Sequence, residues 1–313
     1  NKQSEDDVMD WMGEYQKITR KNSKTDDAVV KLTKFMHDNN IDFFVFKGQT
    51  VARYYTIPES RTSGDIDFYV FSKDRERALA LLKNKVQVID DHSGQHWEFT
   101  YDDIPFEMHY HTVVFASGSK QIYWDDLIDS YFYDVLDSVY INKVSVPTLP
   151  PTINAIYLFI HIYHHFLKEG IALRQFVDWM MFFVAKHEEI VVEELSAKLE
   201  RLGLTKAFHA FGAVLVDVLG MNAKYFPLEI TESDRKYEKK IIDIVLRYGN
   251  FGKYGRSTPA LLERRGKASR WWHSIETGMR SVKHVSQFFW LSPSENLLYL
   301  PKLIKNSLRK NLS

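Results

Sequence analysis

The stretch SGDIDFYV, residues 63–70, places two aspartates on either side of a single isoleucine. Residues 66–71 are rich in aromatic and β-branched side chains, which predicts a buried strand. Because side chains alternate along a strand, Asp65 and Asp67 point to the same side, roughly 7 Å apart along the backbone. Two like charges at that spacing disfavour each other's ionised form unless a cation lies between them. The pair therefore indicates either a divalent metal site or a solvated edge strand, and this stretch alone leaves both open.

A second feature that could bind a ligand lies just upstream, where an apolar strand at residues 41–46 ends in Lys47 and Gly48. A helix is predicted to begin directly after this pair. Glycine lets backbone amides approach a ligand closely, and the first turn of a helix offers unpaired N–H groups and a dipole that favours phosphate. On its own this pattern is weak evidence, because glycines end strands in many proteins.

The third feature is the segment IPFEMHYH, residues 104–111, which predicts another strand. Its residues Glu107, His109 and His111 alternate onto one face. Together with the aspartate pair, Glu107 completes a set of three carboxylates from two neighbouring strands, beside a turn suited to phosphate. Such a set predicts a two-metal site for phosphoryl transfer. Other acidic residues near this segment are alternatives for the third carboxylate: Glu98, Asp102 and Asp103.

The elements that must position these residues alternate between helix and strand in the first half of the chain, which fits a small mixed sheet with flanking helices. The predicted helices there are 6–21, 24–39, 49–55 and 74–85, and the strands are 41–46, 65–71, 86–89, 97–101 and 105–111. After a proline-rich run at 146–151, the periodicity is helical at 152–168, 171–186, 190–202, 205–219, 232–247, 268–290 and 294–310. We therefore predict an α+β chain with a mixed-sheet domain at 1–147 and an all-helical domain at 148–313.

The composition is that of a globular protein of about two domains, with 313 residues, 45% hydrophobic and 26% charged. The absence of cysteine excludes disulfides, iron–sulfur clusters and thiolate zinc sites. A net charge of zero and a pI of about 7.4 argue against a protein that grips long nucleic acid. The longest apolar stretch, 155–167, is interrupted by three histidines and is too short to cross a bilayer, so we expect a soluble, cytoplasmic protein.

The ordered pieces VFKGQTVARYY, PESRTSGDIDFYV and IPFEMHYH resemble the nucleotidyltransferase superfamily related to DNA polymerase beta. Within that superfamily, the chain is similar to a bacterial family of uncharacterised nucleotidyltransferases. Members of this family continue with a helix that bears histidine and then a Leu-Arg…Asp pattern. The corresponding segment here is HHFLKEGIALRQFVDW, which contains His165, Arg174 and Asp178. The resemblance covers residues 30–185.

The resemblance implies transfer of a nucleoside monophosphate from a nucleoside triphosphate such as ATP to an acceptor hydroxyl, with release of pyrophosphate. It implies that Asp65 and Asp67 hold a Mg²⁺ ion bound to the triphosphate. Glu107 would join them on a second Mg²⁺ ion and help to deprotonate the acceptor. Gly48 and the amides that follow it would cradle the β- and γ-phosphates. The acceptor is a small molecule, a sugar or glycan precursor, or a protein, and the sequence does not choose among these.

Further residues are assigned to the same pocket. Lys47 and Arg61 would neutralise phosphate charge, the arginine in a bidentate manner. Arg174 and Asp178, four residues apart on one helical face, have mutual pairing as their alternative role. The remaining residues assigned to the nucleotide are Gln49, Ser63 and Gly64. The residues assigned to a substrate cleft are His109, His165, Arg174 and Asp178.

Two features of the sequence keep other functions open. Most of the superfamily has serine or glycine after the turn glycine, whereas this chain has the bulkier Gln49. A non-catalytic nucleotide-binding or scaffold protein on the same fold is therefore the alternative function. In addition, residues 253–313 contain twelve Lys and Arg against three Glu, interspersed with aromatic residues. This segment predicts either packed helices with a solvated basic face or a weak contact with an anionic membrane or polymer.

Overall fold

A computed structural model of the chain describes residues 5–90, 94–131, 135–168, 171–248, 279 and 282–301. The chain divides into two compact units. The first contains Asn1–Val114 and Trp124–Pro151, and the second contains Phe115–Tyr123 and Thr152–Ser313. The α+β fold class predicted from the sequence is confirmed, since a mixed five-stranded sheet with helices precedes a mostly helical region.

The elements before residue 150 alternate between helices and short strands. The helices are α1 Glu5–Asp38, α2 Gly48–Ala52, α3 Arg75–Lys83 and α4 Gly118–Asp129. The strands are β1 Phe43–Phe46, β2 Ile66–Val70, β3 Ile89–Asp90, β4 His96–Tyr101, β5 Ile104–His109, β6 Asp137–Ile141 and β7 Val144–Thr148. Helix α4 and the β6–β7 hairpin were not predicted from the sequence.

The five-stranded sheet has the order β1-β2-β5-β4-β3. Strands β2 and β5 are parallel, and the other neighbouring pairs are antiparallel. All residues of β1 and β2 are buried, which explains their nearly continuous apolar sequences. One face of the sheet packs against α1 through residues such as Val45, Phe68 and Met108, which join Val29 and Met36 of the helix in one hydrophobic cluster. Side-chain alternation turns the intervening residues of β2 and β5 to the opposite face.

The prediction of two helices at 6–21 and 24–39 is wrong, because α1 is continuous from Glu5 to Asp38. The prediction had placed a break at residues 22–23. In the structure, the buried Asn22 side chain donates from Nδ2 to the carbonyl oxygens of Glu59 at 2.6 Å and Arg61 at 2.7 Å. These tertiary hydrogen bonds use the amide that would otherwise compete with the backbone, so the helix is not interrupted.

The second unit is built from helices around an aromatic core. Its helices are α5 Pro151–Lys168, α6 Leu173–Lys186, α7 Val192–Leu202, α8 Thr205–Ala213, α9 Glu232–Arg235 and α10 Glu238–Tyr248, and residues 282–287 and 293–301 are also helical. The Trp179 ring contacts the rings of Phe159 and Phe208, and its indole N–H donates to the carbonyl of Ala155 at 3.1 Å. Aromatic pairs of this kind stabilise a core beyond the area that they bury.

A buried ion-pair cluster lies inside the second unit. The Glu295 side chain is 0% exposed, and its carboxylate lies 3.3 Å from the Lys120 ammonium. It also accepts from the backbone N–H of Ala116 at 2.9 Å and lies 3.6 Å from Nε2 of His164. Glu295 therefore joins the segment at residues 115–123 to the helix at 293–301.

The basic C-terminal segment is described only at residue 279 and at residues 282–301, so most of the predicted helices at 268–290 and 294–310 lies outside the described residues. Within the part of the chain that the structure describes, no helix combines the length and apolar character needed to span a membrane.

Candidate functional site

Three carboxylates meet on the face of the sheet that is turned away from α1. Asp67 of β2 is level with Glu107 of β5 in the parallel strand pair, and Asp65 immediately precedes β2. Oxygen atoms of Asp65, Asp67 and Glu107 all lie within 4.8 Å of one another. The structure thus brings together the three carboxylates that the sequence assigned to one site. Carboxylate oxygens are the ligands that Mg²⁺ prefers, so these residues fit such an ion.

Asp67 is the most buried member of the cluster, with a side chain that is 3% exposed. The Lys47 ammonium lies 2.9 Å from its Oδ1 atom, and Nε2 of His109 lies 2.9 Å from the same oxygen. Burial alone raises the pKa of Asp67, but the charges and hydrogen bonds of Lys47 and His109 outweigh it and hold the pKa far below its usual range. Asp67 is therefore the permanently ionised carboxylate of the site.

The pKa of Asp65 is shifted in the opposite direction from that of Asp67. The negative charge of Asp67, followed by burial, raises the pKa of Asp65 to about 7, and Glu107 adds to the shift. In the protein without bound cations, the Asp65 carboxyl group is therefore partly protonated near neutral pH. A divalent cation must displace this proton in order to bind.

This shift predicts how Asp65→Asn affects stability in the presence of a chelator. From about pH 4 to 7 the folded state binds more protons at Asp65 than the unfolded state, so the free energy of unfolding falls as pH rises. Asparagine removes this ionisation. We expect Asp65→Asn to be about 4 kcal/mol more stable than the parent at pH 8, with a difference that vanishes toward pH 4. Urea unfolding at a series of pH values measures it, and a difference independent of pH would contradict the assignment.

His109 is almost completely buried beside the cluster, with a side chain that is 1% exposed. Its Nδ1–H donates to the carbonyl of His111 at 3.1 Å, while Nε2 faces Asp67 at 2.9 Å and Glu107 at 3.1 Å. Burial lowers the pKa of His109, but the hydrogen bonds to the two carboxylates outweigh burial and raise it above its ordinary value. His109 therefore stabilises the negative charge of the site.

The turn after β1 aims Lys47 at the carboxylates. Phe46 is level with Asp67, so regular alternation would send the next side chain to the opposite face. Instead, Lys47 has φ 57° and ψ −155°, and Gly48 has φ 44°. A non-glycine residue in such a conformation costs about 1–3 kcal/mol and is typically found at functional sites. The turn then leads directly into α2.

Gln49 is assigned to the nucleotide by the sequence, and its side chain is 2% exposed. Its Nε2 atom donates to Oδ1 of Asp26 in α1. The Arg53 guanidinium lies 3.1 Å from Oδ2 of the same aspartate. The Gln49 side chain therefore anchors α2 to α1, and only the backbone of this residue belongs to the turn.

The loop before β2 is anchored to α1 at Arg61 and Ser63, two of the residues assigned to the nucleotide. Arg61 is buried, and its carbonyl accepts from Asn22. The carbonyl of Ser63 accepts from the Lys21 ammonium at 3.0 Å, and its hydroxyl lies 3.4 Å from that of Thr25. Gly64 then connects this anchored loop to Asp65. The loop thus supports the position of the carboxylates.

Three further residues assigned to a substrate cleft, His165, Arg174 and Asp178, belong to the second unit. The ring of His165, on α5, lies 4.5 Å from the ring of His161 between centroids. Arg174 lies in the first turn of α6, which begins at Leu173, and Asp178, one turn later, is buried. Of the alternative third carboxylates, Asp102 pairs with Lys31 at 2.7 Å in the turn between β4 and β5.

His96 was not identified from the sequence. It lies opposite His109 in the antiparallel pair of β4 and β5, where Glu98 lies opposite Glu107. Ligand atoms of His96, Glu107 and His109 lie within 4.8 Å of one another. The sequence contains a signal for this arrangement, because the His-x-Glu of β4 is mirrored by the Glu-x-His of β5. Only the strand register shows that the two pairs face each other.

Comparisons with known proteins gave one matching family and a similar solved structure. A sequence profile of a family described as "Uncharacterised nucleotidyltransferase" matches residues 2–220. Among solved structures, an antigenic nucleotidyltransferase-like protein from Paracoccidioides brasiliensis is similar to this chain, with 13% sequence identity and a TM-score of 0.37. That match covers 64% of this chain and 95% of the other. The search of curated proteins found no match.

Proposed function

Since the chain belongs to the family of uncharacterised nucleotidyltransferases, we propose that it transfers a nucleoside monophosphate from a nucleoside triphosphate to an acceptor hydroxyl. The acceptor oxygen forms a bond to the α-phosphorus, the bond to the β-phosphate oxygen breaks, and pyrophosphate leaves. The observation that supports this most directly is the convergence of Asp65, Asp67 and Glu107 within 4.8 Å. Phosphoryl transfer depends mainly on positioning and on neutralising charge, which such a cluster provides with bound cations.

Asp65, Asp67 and Glu107 would hold Mg²⁺, with two ions in the full site. When bound, Mg²⁺ neutralises the charge of the phosphates and favours ionisation of the acceptor hydroxyl. The protein contributes a fixed set of negative oxygens, because Lys47 and His109 keep Asp67 ionised and in place.

The remaining roles follow from exposure and charge. The Glu107 side chain is 21% exposed, against 3% for Asp67, so it is the carboxylate better placed to take the proton of an entering acceptor. The Lys47 ammonium lies 2.9 Å from Asp67, and beside that carboxylate it would also contact the phosphates of the substrate. The positive φ of Gly48 turns the backbone beside Asp65, where its amide would contact the triphosphate.

The proposal is tested by measuring pyrophosphate release from ATP, GTP, CTP and UTP, each with Mg²⁺ and a panel of acceptor alcohols, sugars and hydroxyl-bearing proteins. We expect turnover with at least one pair and none after addition of a chelator. Asp102→Asn is a matched control, because Asp102 is an exposed aspartate paired with Lys31 at the far end of β4. This variant should keep the activity of the parent.

A non-catalytic nucleotide-binding protein is the second candidate, and the burial of the Gln49 side chain against Asp26 is the observation that favours it. In that case the turn binds phosphate without the serine or glycine that follows the turn glycine in most of the superfamily. Calorimetry with the four nucleoside triphosphates in Mg²⁺ separates the two functions. Binding without pyrophosphate release across the whole acceptor panel would support the second candidate and reject the first.

A further inference from the structure

Four polar residues of β4 and β5 share one face of the sheet in a pattern that strand pairing alone disfavours. His96 lies directly opposite His109, and Glu98 lies directly opposite Glu107. Like residues that face each other across an antiparallel pair repel when they are charged. Alternation then sets each histidine diagonally across from a glutamate. A cation held between the strands would remove this conflict.

The hydrogen bonds on the outer nitrogens of both imidazoles prepare the inner nitrogens to be ligands. Nδ1 of His109 donates to the carbonyl of His111 at 3.1 Å, which directs Nε2 toward Glu107. Nε2 of His96 lies 3.2 Å from the Glu98 carboxylate, which directs Nδ1 toward the same Glu107 oxygen. A carbonyl or carboxylate on the far nitrogen is the usual arrangement around a metal-bound histidine, because it selects the tautomer and orients the ring.

The spacing of the inner atoms also suits one ion. Nε2 of His109 lies 3.1 Å from Oε2 of Glu107, and Nδ1 of His96 lies 3.7 Å from that oxygen. Ligands bound to one transition-metal ion at about 2.1 Å stand roughly 3.0–3.4 Å apart. The first distance lies within this range, and the second exceeds it by about 0.3 Å, which a small rotation of the His96 side chain would remove. The three side chains are largely shielded, with 12% exposure for His96, 1% for His109 and 21% for Glu107.

We propose that His96, Glu107 and His109 form a binding site for a divalent transition-metal ion that accepts imidazole, in the range from iron to zinc. This site is chemically distinct from the oxygen-only set of Asp65, Asp67 and Glu107, because Mg²⁺ rarely takes imidazole ligands whereas these ions do. The two sites share Glu107, whose two carboxylate oxygens can face different ions. They also share Nε2 of His109, because an ion at the histidine site would replace the proton through which this atom contacts Asp67 at 2.9 Å. Binding at the histidine site does not require that the chain transfer nucleotides.

The experiment uses the full chain, freed of metals by a chelator and dialysed into excess Mg²⁺ so that hard oxygen sites are saturated. Co²⁺ is then added as the probe, because its visible absorption reports nitrogen ligands, and Zn²⁺ and Mn²⁺ are titrated in competition. We expect one Co²⁺ per chain with imidazole-type absorption and displacement by Zn²⁺. His96→Gln should weaken Co²⁺ binding by more than about 100-fold, and Glu98→Gln, which removes the hydrogen-bond partner on the outer nitrogen of His96, by about 10-fold or more.

His37→Gln is the matched control, because His37 lies on the exposed side of α1 in its last turn. It should bind Co²⁺ as the parent does. Absence of a Mg²⁺-resistant Co²⁺ site in the parent, or unchanged binding in a folded His96→Gln, would overturn the proposal. If His96→Gln fails to fold, the parent titration and Glu98→Gln still decide the question. A protein that binds Co²⁺ through His96 but never releases pyrophosphate rejects the transferase function and supports this site.

Discussion

Replacing Asp65 and Asp67 together with asparagine is expected to abolish Mg²⁺-dependent release of pyrophosphate, with a loss of more than about 1,000-fold. Asparagine keeps the size of each side chain and removes two of the three negative charges that lie within 4.8 Å. With only Glu107 left, the cluster cannot hold the cations that neutralise the triphosphate. The measurement is pyrophosphate release at saturating nucleotide and Mg²⁺, alongside calorimetric binding of Mg²⁺.

The fold should survive this double substitution, although its two effects on stability oppose each other. Removing the Asp65 carboxyl group, whose pKa is raised, stabilises the fold at neutral pH. Removing the Asp67 carboxylate destabilises it, because Lys47 and His109 lose the group that they contact. Circular dichroism and thermal unfolding check that the protein is intact, and Asp102→Asn serves as the control for loss of an aspartate elsewhere on the same unit. Turnover at the parental rate in a folded double variant would eliminate the carboxylate mechanism.

Replacing Glu295 with alanine is expected to lower the free energy of unfolding of the helical unit by about 3–5 kcal/mol. The Glu295 carboxylate is completely buried, and its removal leaves the Lys120 ammonium, which is 10% exposed, without this partner. The backbone N–H of Ala116 also loses its acceptor, and His164 loses a nearby negative charge. An uncompensated buried charge costs far more than an exposed ion pair contributes.

Urea unfolding followed by near-ultraviolet circular dichroism measures this change, because the aromatic core lies in the same unit. Glu194→Ala is the matched control, since Glu194 pairs with Lys198 one turn later on α7 with 35% of its side chain exposed. Exposed pairs of this kind contribute about 0.5 kcal/mol or less. Equal effects of the two substitutions would show that the Glu295 cluster contributes no more than a surface pair.

The sequence predicted the fold class and the family, and both are confirmed. It succeeded because these depend on local patterns: the aromatic and β-branched runs of β1 and β2, the helical periodicity after residue 150, and the order of the motifs. It also assigned Asp65, Asp67 and Glu107 to one site. That inference needed only strand alternation and the assumption that their two strands are neighbours, which the observed register of β2 and β5 satisfies.

Other features depended on contacts between distant residues and were missed. The sequence predicted a break at residues 22–23, but hydrogen bonds from Asn22 to residues 59 and 61 keep α1 continuous. Gln49 was assigned to phosphate because of its position after glycine, yet its side chain donates to Asp26. Nothing local to Gln49 indicates this partner, which lies 23 residues earlier in the chain.

By itself, the sequence therefore determined which residues of each strand share a face, because alternation is a property of a single extended segment. Only the tertiary structure decided which faces meet. The register of β4 and β5 set His96 against His109, and the left-handed backbone at Lys47 brought its ammonium to Asp67. The first result follows from non-local strand pairing. The second follows from a strained turn, whose conformational energy is offset by contacts with residues far away in the sequence.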